Sequence, residues 1–286
     1  MHTVHTLITR FNLATPGREQ AFRQSPDWLA GRFDLFERYC LPSVRDQTSS
    51  DFIWLVLFDS ETPQWARERI VRAQAVCRFD AVFTPLFDNA GWARLVRDAI
   101  GPVAENRVVL TSNLDNDDAI AADYLERVRD AAIANWRGET FAINVTAGLV
   151  LARRRLYRFV HPANAFTTLV EGDSDRLRTT MTIRHNELAH HVPIIQVGGT
   201  PGWLQVVHDN NVSNRVRGSI VAQSQATRFA AAILAEAEPP TVAEIMLDRW
   251  FQAPARRLRD AAIATVRRVL PVDRPGAGAR LLRKPR

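Results

Sequence analysis

The hydrophobic positions of the first half of the chain switch repeatedly between a period of two or continuous runs and a helical period. Residues 4–12 read as a first strand, followed by a loop around Thr15-Pro16-Gly17. Leu29, Phe33, Phe36 and Cys40 then recur at helical spacing, and the helix is expected to end near Pro42. Residues 52–58 form an apolar run of strand length ending in Asp59, the pattern of a strand buried on both faces. Ala66, Ile70, Ala73 and Cys77 mark the next helix, residues 79–83 the next strand, and Trp92, Leu95, Val96 and Ile100 another helix. A strand over 107–114 follows. The next helix is expected directly after Asp118, at Ala119-Ile120, with Ala121, Leu125, Val128 and Ala132 on its apolar face.

Four strand–helix units in alternation predict an α/β fold, a mostly parallel sheet sandwiched by helices. Ligands of such sheets sit at the carboxyl ends of the strands. Beyond residue 135 the pattern changes. Residues 141–145 and 148–152 read as paired strands around a Thr146-Ala147 turn, and a polar, His-rich stretch runs to about residue 199. Strands are expected at 192–197 and 203–211, an Ala-rich helix at 219–238, a helix capped by Thr241, and a last helix over 255–270. The expected division is a catalytic-type domain over 1–217, a helical extension over 218–270 and a basic, mobile tail over 271–286.

At 286 residues with 46% hydrophobic content, the chain can bury a large core. No stretch approaches the roughly eighteen uncharged apolar residues of a membrane span, so a soluble cytoplasmic protein is the default expectation. Cys40 and Cys77 are the only cysteines, both at apolar helical positions, which favours buried thiols over a disulfide or a zinc framework. The net charge of +6 is unevenly spread. Residues 254–286 hold ten Lys and Arg against two Asp, a net +8, leaving 27 basic and 29 acidic side chains in residues 1–253. The basicity therefore belongs to the C-terminal segment, and no nucleic acid is expected as a partner of the body.

The candidate chemistry gathers at Leu114-Asp115-Asn116-Asp117-Asp118, where a buried-type strand ends in three carboxylates within four positions. Carboxylates so close repel one another unless solvent, a helix N-terminus or a cation compensates them. A hard divalent cation with oxygen ligands does this and also holds phosphate oxygens. The plainer alternative is an acidic cap on the next element, and Asp59 likewise reads as either a ligand or a turn cap before Pro63.

The segment Arg38 to Thr48, followed by the strand ending in Asp59 and by Leu114 to Asp118, resembles the start of GT-A glycosyltransferases with their Asp-x-Asp element. More narrowly, Thr9-Arg10-Phe11-Asn12, Arg32-Phe33, Leu41-Pro42-Ser43, Gln47-Thr48, Phe58-Asp59, Leu114 to Ala119 and Gly202-Trp203 to Asn211 resemble the putative rhamnosyltransferase family, over residues 4–217. The resemblance implies a GT-A-like, Rossmann-like fold and sugar transfer from a nucleotide-diphosphate donor, with dTDP-rhamnose as the donor. The acceptor would be a saccharide or a lipid-linked saccharide. It implies Mg²⁺ or Mn²⁺ held by Asp115 and Asp117, with His208 as a late ligand and Asp118 beside them. Arg10, Asp59, Arg94 and Trp203 would then bind the nucleotide sugar, and Glu171 would be the base that deprotonates the acceptor, with Glu187 and Asp173 as rivals.

Three other readings are weighed against this. Leu55 to Thr62 resembles the nucleophile loop of haloacid-dehalogenase-like phosphatases, but Glu61 stands where that family has Asp, and Lys284 is the only lysine. His185 to His191 resembles a zinc-protease helix, but His185 and His190 are five apart, which rotates them about 140° on a helix. Arg256, Arg257, Arg259, Arg267 and Arg268 flank Leu258, Ile263, Val266 and Leu270. This basic amphipathic pattern suits peripheral membrane contact through residues 255–286, or a non-enzymatic membrane- or polyanion-binding protein.

Overall fold

The computed structural model describes residues 2–13, 25–85, 89–183, 185, 187–208 and 215–269. The loop around Thr15-Pro16-Gly17, Asp209-Asn210-Asn211, Leu270 and the tail 271–286 lie outside the described residues.

In chain order the strands are β1 (His2–Arg10), β2 (Ile53–Asp59), β3 (Asp80–Thr84), β4 (Arg107–Asn113), β5 (Ala119–Ile120), β6 (Phe141–Val145), β7 (Ala147–Ala152), β8 (Arg155–Val160), β9 (Thr168–Gly172), β10 (Ile194–Val197), β11 (Trp203–Val207) and β12 (Ser219–Val221). The helices are α1 (Pro26–Leu35), α2 (Leu41–Arg45), α3 (Gln64–Val76), α4 (Asn89–Ile100), α5 (Tyr124–Asn135), α6 (Ala231–Leu234), α7 (Val242–Leu247) and α8 (Ala253–Val269). A seven-stranded sheet runs β10-β6-β9-β4-β1-β2-β3, parallel except for β9. A smaller five-stranded sheet runs β12-β8-β7-β11-β5. The large sheet is covered on one face by α1, α2, α3 and α5, through Phe33, Phe36, Val44, Ile70, Leu125 and Val128. Trp92, Leu95 and Val96 of α4, with Leu177, cover Ile8, Leu55, Leu57 and Val109 on the other. The mostly parallel α/β sandwich is the fold class expected, and the polar-flanked runs at β2 and β4 are buried on both faces as their sequences require. Cys40 is buried and Cys77 half-buried, both as free thiols. Among the described residues no helix is long and apolar enough to cross a membrane.

Several expectations are corrected. The first long helix does not stop at Pro42 but passes through it to Arg45. Proline lacks the N–H that would bond the carbonyl four residues back, and the chain accommodates this with a π-turn at Phe36–Cys40. Ala119-Ile120 is a short strand of the second sheet and not a helix start, and the helix begins at Tyr124. Residues 141–152 are not a hairpin. β6 belongs to the large sheet and β7 to the small one, and the chain crosses between them at Thr146. The Ala-rich stretch 219–238 is β12, a 3₁₀ turn at Gln223–Ala226 and the short α6, because its apolar residues Ala226, Phe229, Ile233 and Ala237 pack as a lid on the small sheet. Thr241 does cap α7, in a reciprocal capping box with Glu244.

Two local constraints lead to measurable consequences. Gly148 of β7 stands opposite Trp203 of β11, and a methyl group at position 148 would overlap the indole of Trp203. Gly148→Ala should therefore cost about 1–3 kcal/mol in urea denaturation, with the fold retained. His5, buried in β1, shares a 2.7 Å hydrogen bond with the Ser112 hydroxyl, which in turn meets Thr168 on β9. Burial first, and then the charge of Arg129, push its pKa down from 6.5 to about 3. Because the folded value lies below the unfolded one, stability is complete above pH 6.5 and falls as the pH drops toward 3, by up to about 1.4 kcal/mol per pH unit. Urea melts from pH 7 to 4 should show this slope, and His5→Gln should flatten it.

Candidate functional site

The carboxylate run occupies the passage between the two sheets. β4 ends at Asn113 in the large sheet, residues 114–118 cross over, and β5 enters the small one. The crossing is tied to the end of β1. Leu114 N–H donates to the Ile8 carbonyl at 3.0 Å, and the Asn116 amide donates to the Phe11 carbonyl at 2.9 Å. Across the next strand end, the Asn12 side chain accepts from Asp59 N–H and donates to the Thr62 hydroxyl. The carboxyl ends of β1, β2 and β4 are thus locked together, at the position where parallel sheets bind ligands.

The three carboxylates have different surroundings. Asp115 is about 40% exposed, with Arg10, itself about 45% exposed, 3.9 Å away. Asp117 is buried, and its Oδ2 accepts from Arg32 Nη1 at 2.8 Å and pairs with His208 Nε2 at 2.9 Å. Burial alone would raise its pKa, but the His208 hydrogen bond and the Arg32 charge outweigh burial and hold it below the usual carboxylate range. Asp118 is also buried, and its Oδ1 takes the Val206 N–H at 2.8 Å. Burial first, then the charges of Asp117 and Asp115, push its carboxyl well above the usual range. Adjacent residues are thus driven in opposite directions by one guanidinium and one imidazole.

Arg32 comes from α1, where it interrupts the apolar face of Leu29, Phe33 and Phe36. Its guanidinium lies 5.4 Å from the Trp28 ring, and its Nε is buried without a hydrogen-bond partner. The sequence reading carried Arg32 only within a motif. Its place beside Asp117, 85 positions away, has no spacing signature; the one hint is a charged residue set among core positions of a helix.

Residues 5–220 match the family model described as "Putative rhamnosyl transferase". The chain belongs to that family. Similar solved structures include S. aureus TarS (12% identity, TM-score 0.37, covering 72% of this chain and 37% of that one). They also include the inositol-1-phosphate CTP transferase from T. maritima (8%, 0.35, 73% and 92%). A third is a putative nucleotide-diphospho-sugar transferase from Desulfovibrio desulfuricans G20 (8%, 0.36, 73% and 83%). The chain spans little more than a third of TarS. No curated protein matches it. By its family, the chain is a sugar transferase at the level of class.

For this rhamnosyl transferase family member, Arg10, Asp115, Asp117 and His208 are brought together as the sequence suggested. Asp59 is at the neighbouring strand end, with its Oδ1 accepting from Glu61 N–H at 2.9 Å as a turn cap. The other nominated residues are corrected. Trp203 is a core residue, 2% exposed, with its indole N–H bonded to the Val145 carbonyl and its ring stacked on Phe166, so it presents no face to a ligand. Arg94 lies on α4 and lines a separate cavity with Arg97, Arg176 and Arg178. Glu171 pairs in register with Val109, six residues before Asp115, which places it about 20 Å back along the strand at 3.3 Å per residue. Its carboxylate accepts the backbone N–H groups of Arg178 and Thr179, anchoring that loop. Asp173, still further back, is held by Arg97 and Arg107. Glu187 is half-buried, and its carbonyl accepts from His190 N–H in a short turn ahead of β10.

The motif residue Gln47 has a structural role. Its amide donates to the Ser43 and Ala121 carbonyls and its Oε1 accepts from Leu125 N–H, tying α2 to the start of α5. As for the expected divalent ion, Asp117 gives Oδ2 to Arg32 and His208 while Asp118 is turned toward β11. Among the described residues no three His, Cys, Asp or Glu side chains converge to hold a metal. This donor set does not fit a preformed cation site.

The opposite environments of Asp117 and Asp118 predict opposite responses to the same change. Asp118→Asn keeps an oxygen for Val206 N–H and removes a disfavoured charge, so it should maintain or raise stability at pH 7 by about 1 kcal/mol. Asp117→Asn leaves the buried Arg32 undercompensated and should lose about 3 kcal/mol. Equal losses in urea denaturation would contradict the assignment.

Proposed function

We propose that this chain transfers a sugar from a nucleoside-diphosphate donor to a saccharide or lipid-linked acceptor. The family description points to rhamnose as the sugar, and thymidine diphosphate as its carrier is part of the proposal. The observation that carries the reading is the group Arg10, Asp115, Arg32, Asp117 and His208 at the carboxyl ends of β1 and β4, in a member of a sugar transferase family.

The chemistry follows from charge. Breaking the glycosidic bond leaves a diphosphate on which negative charge grows, and preorganised cations at that position lower the barrier. Arg10 is exposed beside Asp115 and can fork onto phosphate oxygens. Arg32 is locked on Asp117, and its buried, unpartnered Nε is a further donor pointing to an anion at this place. His208 is held against the same carboxylate oxygen and can donate or shuttle a proton according to its tautomer. No step uses a divalent ion, since the described carboxylates form no site for one, and Mg²⁺ or Mn²⁺ enters as an added arm of the test. A lipid-linked acceptor would bring the basic segment 255–286 to a membrane surface.

Thymidine and uridine diphosphates and their sugars, titrated with and without Mn²⁺, should raise the melting temperature of the wild type, since binding to the native state stabilises it. Arg10→Ala removes an exposed side chain and should leave the unliganded melt in place. It should cut donor hydrolysis by about 10- to 100-fold. Unchanged hydrolysis in this variant and in His208→Gln would place the donor elsewhere.

A further inference from the structure

α7, a π-turn over Asp248–Gln252 and α8 make one almost unbroken helix from Val242 to Val269, roughly 40 Å long at 1.5 Å per residue. A helix packed on a soluble domain normally turns its apolar side inward and its charges outward. Here the arrangement is inverted. The side against the body is fastened by polar contacts: Asp248 accepts from Ile220 N–H at 2.9 Å, Arg256 donates to the Gly218 carbonyl at 2.9 Å and pairs with Asp248, and Arg259 donates to the Val216 carbonyl at 2.9 Å. Val242, Met246, Trp250, Pro254 and Leu258 follow at every fourth position, and all are exposed. With Leu247 and Phe251 beside them, the large side chains keep between 51% and 73% of their surface open to solvent, Trp250 at 68% and Phe251 at 69%. Exposed single leucines are ordinary, but an aromatic pair within a row of this length marks a contact surface.

The charge around the row decides which contact. Arg249, 6.0 Å from the Trp250 ring, and Arg257 and Arg259 are exposed alongside it. The sequence from 254 to 286 holds ten basic residues against two acidic ones. A second copy would press like charges together across an apolar seam. An anionic bilayer instead accepts the apolar side chains at the acyl boundary, Trp at the headgroup level, and arginines that extend to lipid phosphates. We infer that the exposed face of residues 242–258 docks on an anionic membrane surface, with Trp250 and Phe251 as the inserted residues.

This inference is independent of the sugar-transfer reading, because vesicle binding is measured without donor and donor hydrolysis without vesicles. The full chain is sedimented with vesicles of phosphatidylcholine alone or mixed with an equal part of phosphatidylglycerol. The wild type should bind the mixed vesicles and not the neutral ones. The double variant Trp250→Glu/Phe251→Glu should bind about tenfold more weakly or less, with unchanged melting temperature and donor hydrolysis. Val242→Glu/Leu258→Glu, at the two ends of the row, should act the same way and guards against misfolding of the first variant. Equal vesicle binding by the wild type and both variants, or no binding by the wild type, would overturn the proposal. A wild-type dimer that the variants convert to monomer, without vesicle binding, would assign the face to a second copy instead.

Discussion

One buried carboxylate oxygen, Oδ2 of Asp117, joins three parts of the chain that are far apart in sequence. Arg32 reaches it from the first helix, the aspartate itself sits on the crossing between the sheets, and His208 reaches it from the end of β11. One position later, Asp118 fastens the backbone of β11 at Val206. A buried charge pair of this kind contributes little net stability over an apolar alternative, because desolvation of both partners offsets the attraction. Its effect is geometric. Removing any member leaves a charge in low dielectric, so the strand ends, the crossing and the helix are held in one arrangement.

That arrangement keeps like charges together at a strand end. Asp115 remains near solvent with Arg10, Asp117 is neutralised by two cationic groups, and Asp118 is pushed toward its protonated form. The self-repulsion expected of three carboxylates in four positions is relieved by protein groups of opposite sign. The same guanidinium and imidazole that relieve it are the groups a departing diphosphate would meet, so stability and transfer chemistry make the same demand on this site.

The second sheet supplies one wall of this site and has few helices to cover it. Its central contact is the Trp203 indole lying over Gly148 and stacked on Phe166, which leaves no room for another side chain or a ligand. Its other side is closed by short turns around Phe229 and Ile233, and its edge strand β12 receives the long C-terminal helix. The helix is attached there by arginines and an aspartate, which leaves its apolar residues free to meet a surface beyond the chain.

The sequence alone determined the order and type of most elements in the first half. Continuous β-branched and apolar runs can only be strands buried on both faces, and the intervening helical stripes then require a covered parallel sheet. It also singled out Asp115, Asp117 and Arg10, because charges at the carboxyl ends of such strands lie where ligands bind. Tertiary structure decided the rest. Residues 141–152 look like a hairpin, since alternation along a strand says nothing about which sheet it joins. Glu171 looks like a base until the antiparallel register of β9 carries it to the far end of β4. Trp203 looks like a ligand platform until Gly148, 55 positions earlier, is found beneath it. Arg32 could not be assigned at all, because a carboxylate and the guanidinium that neutralises it need share no spacing when the fold brings them together.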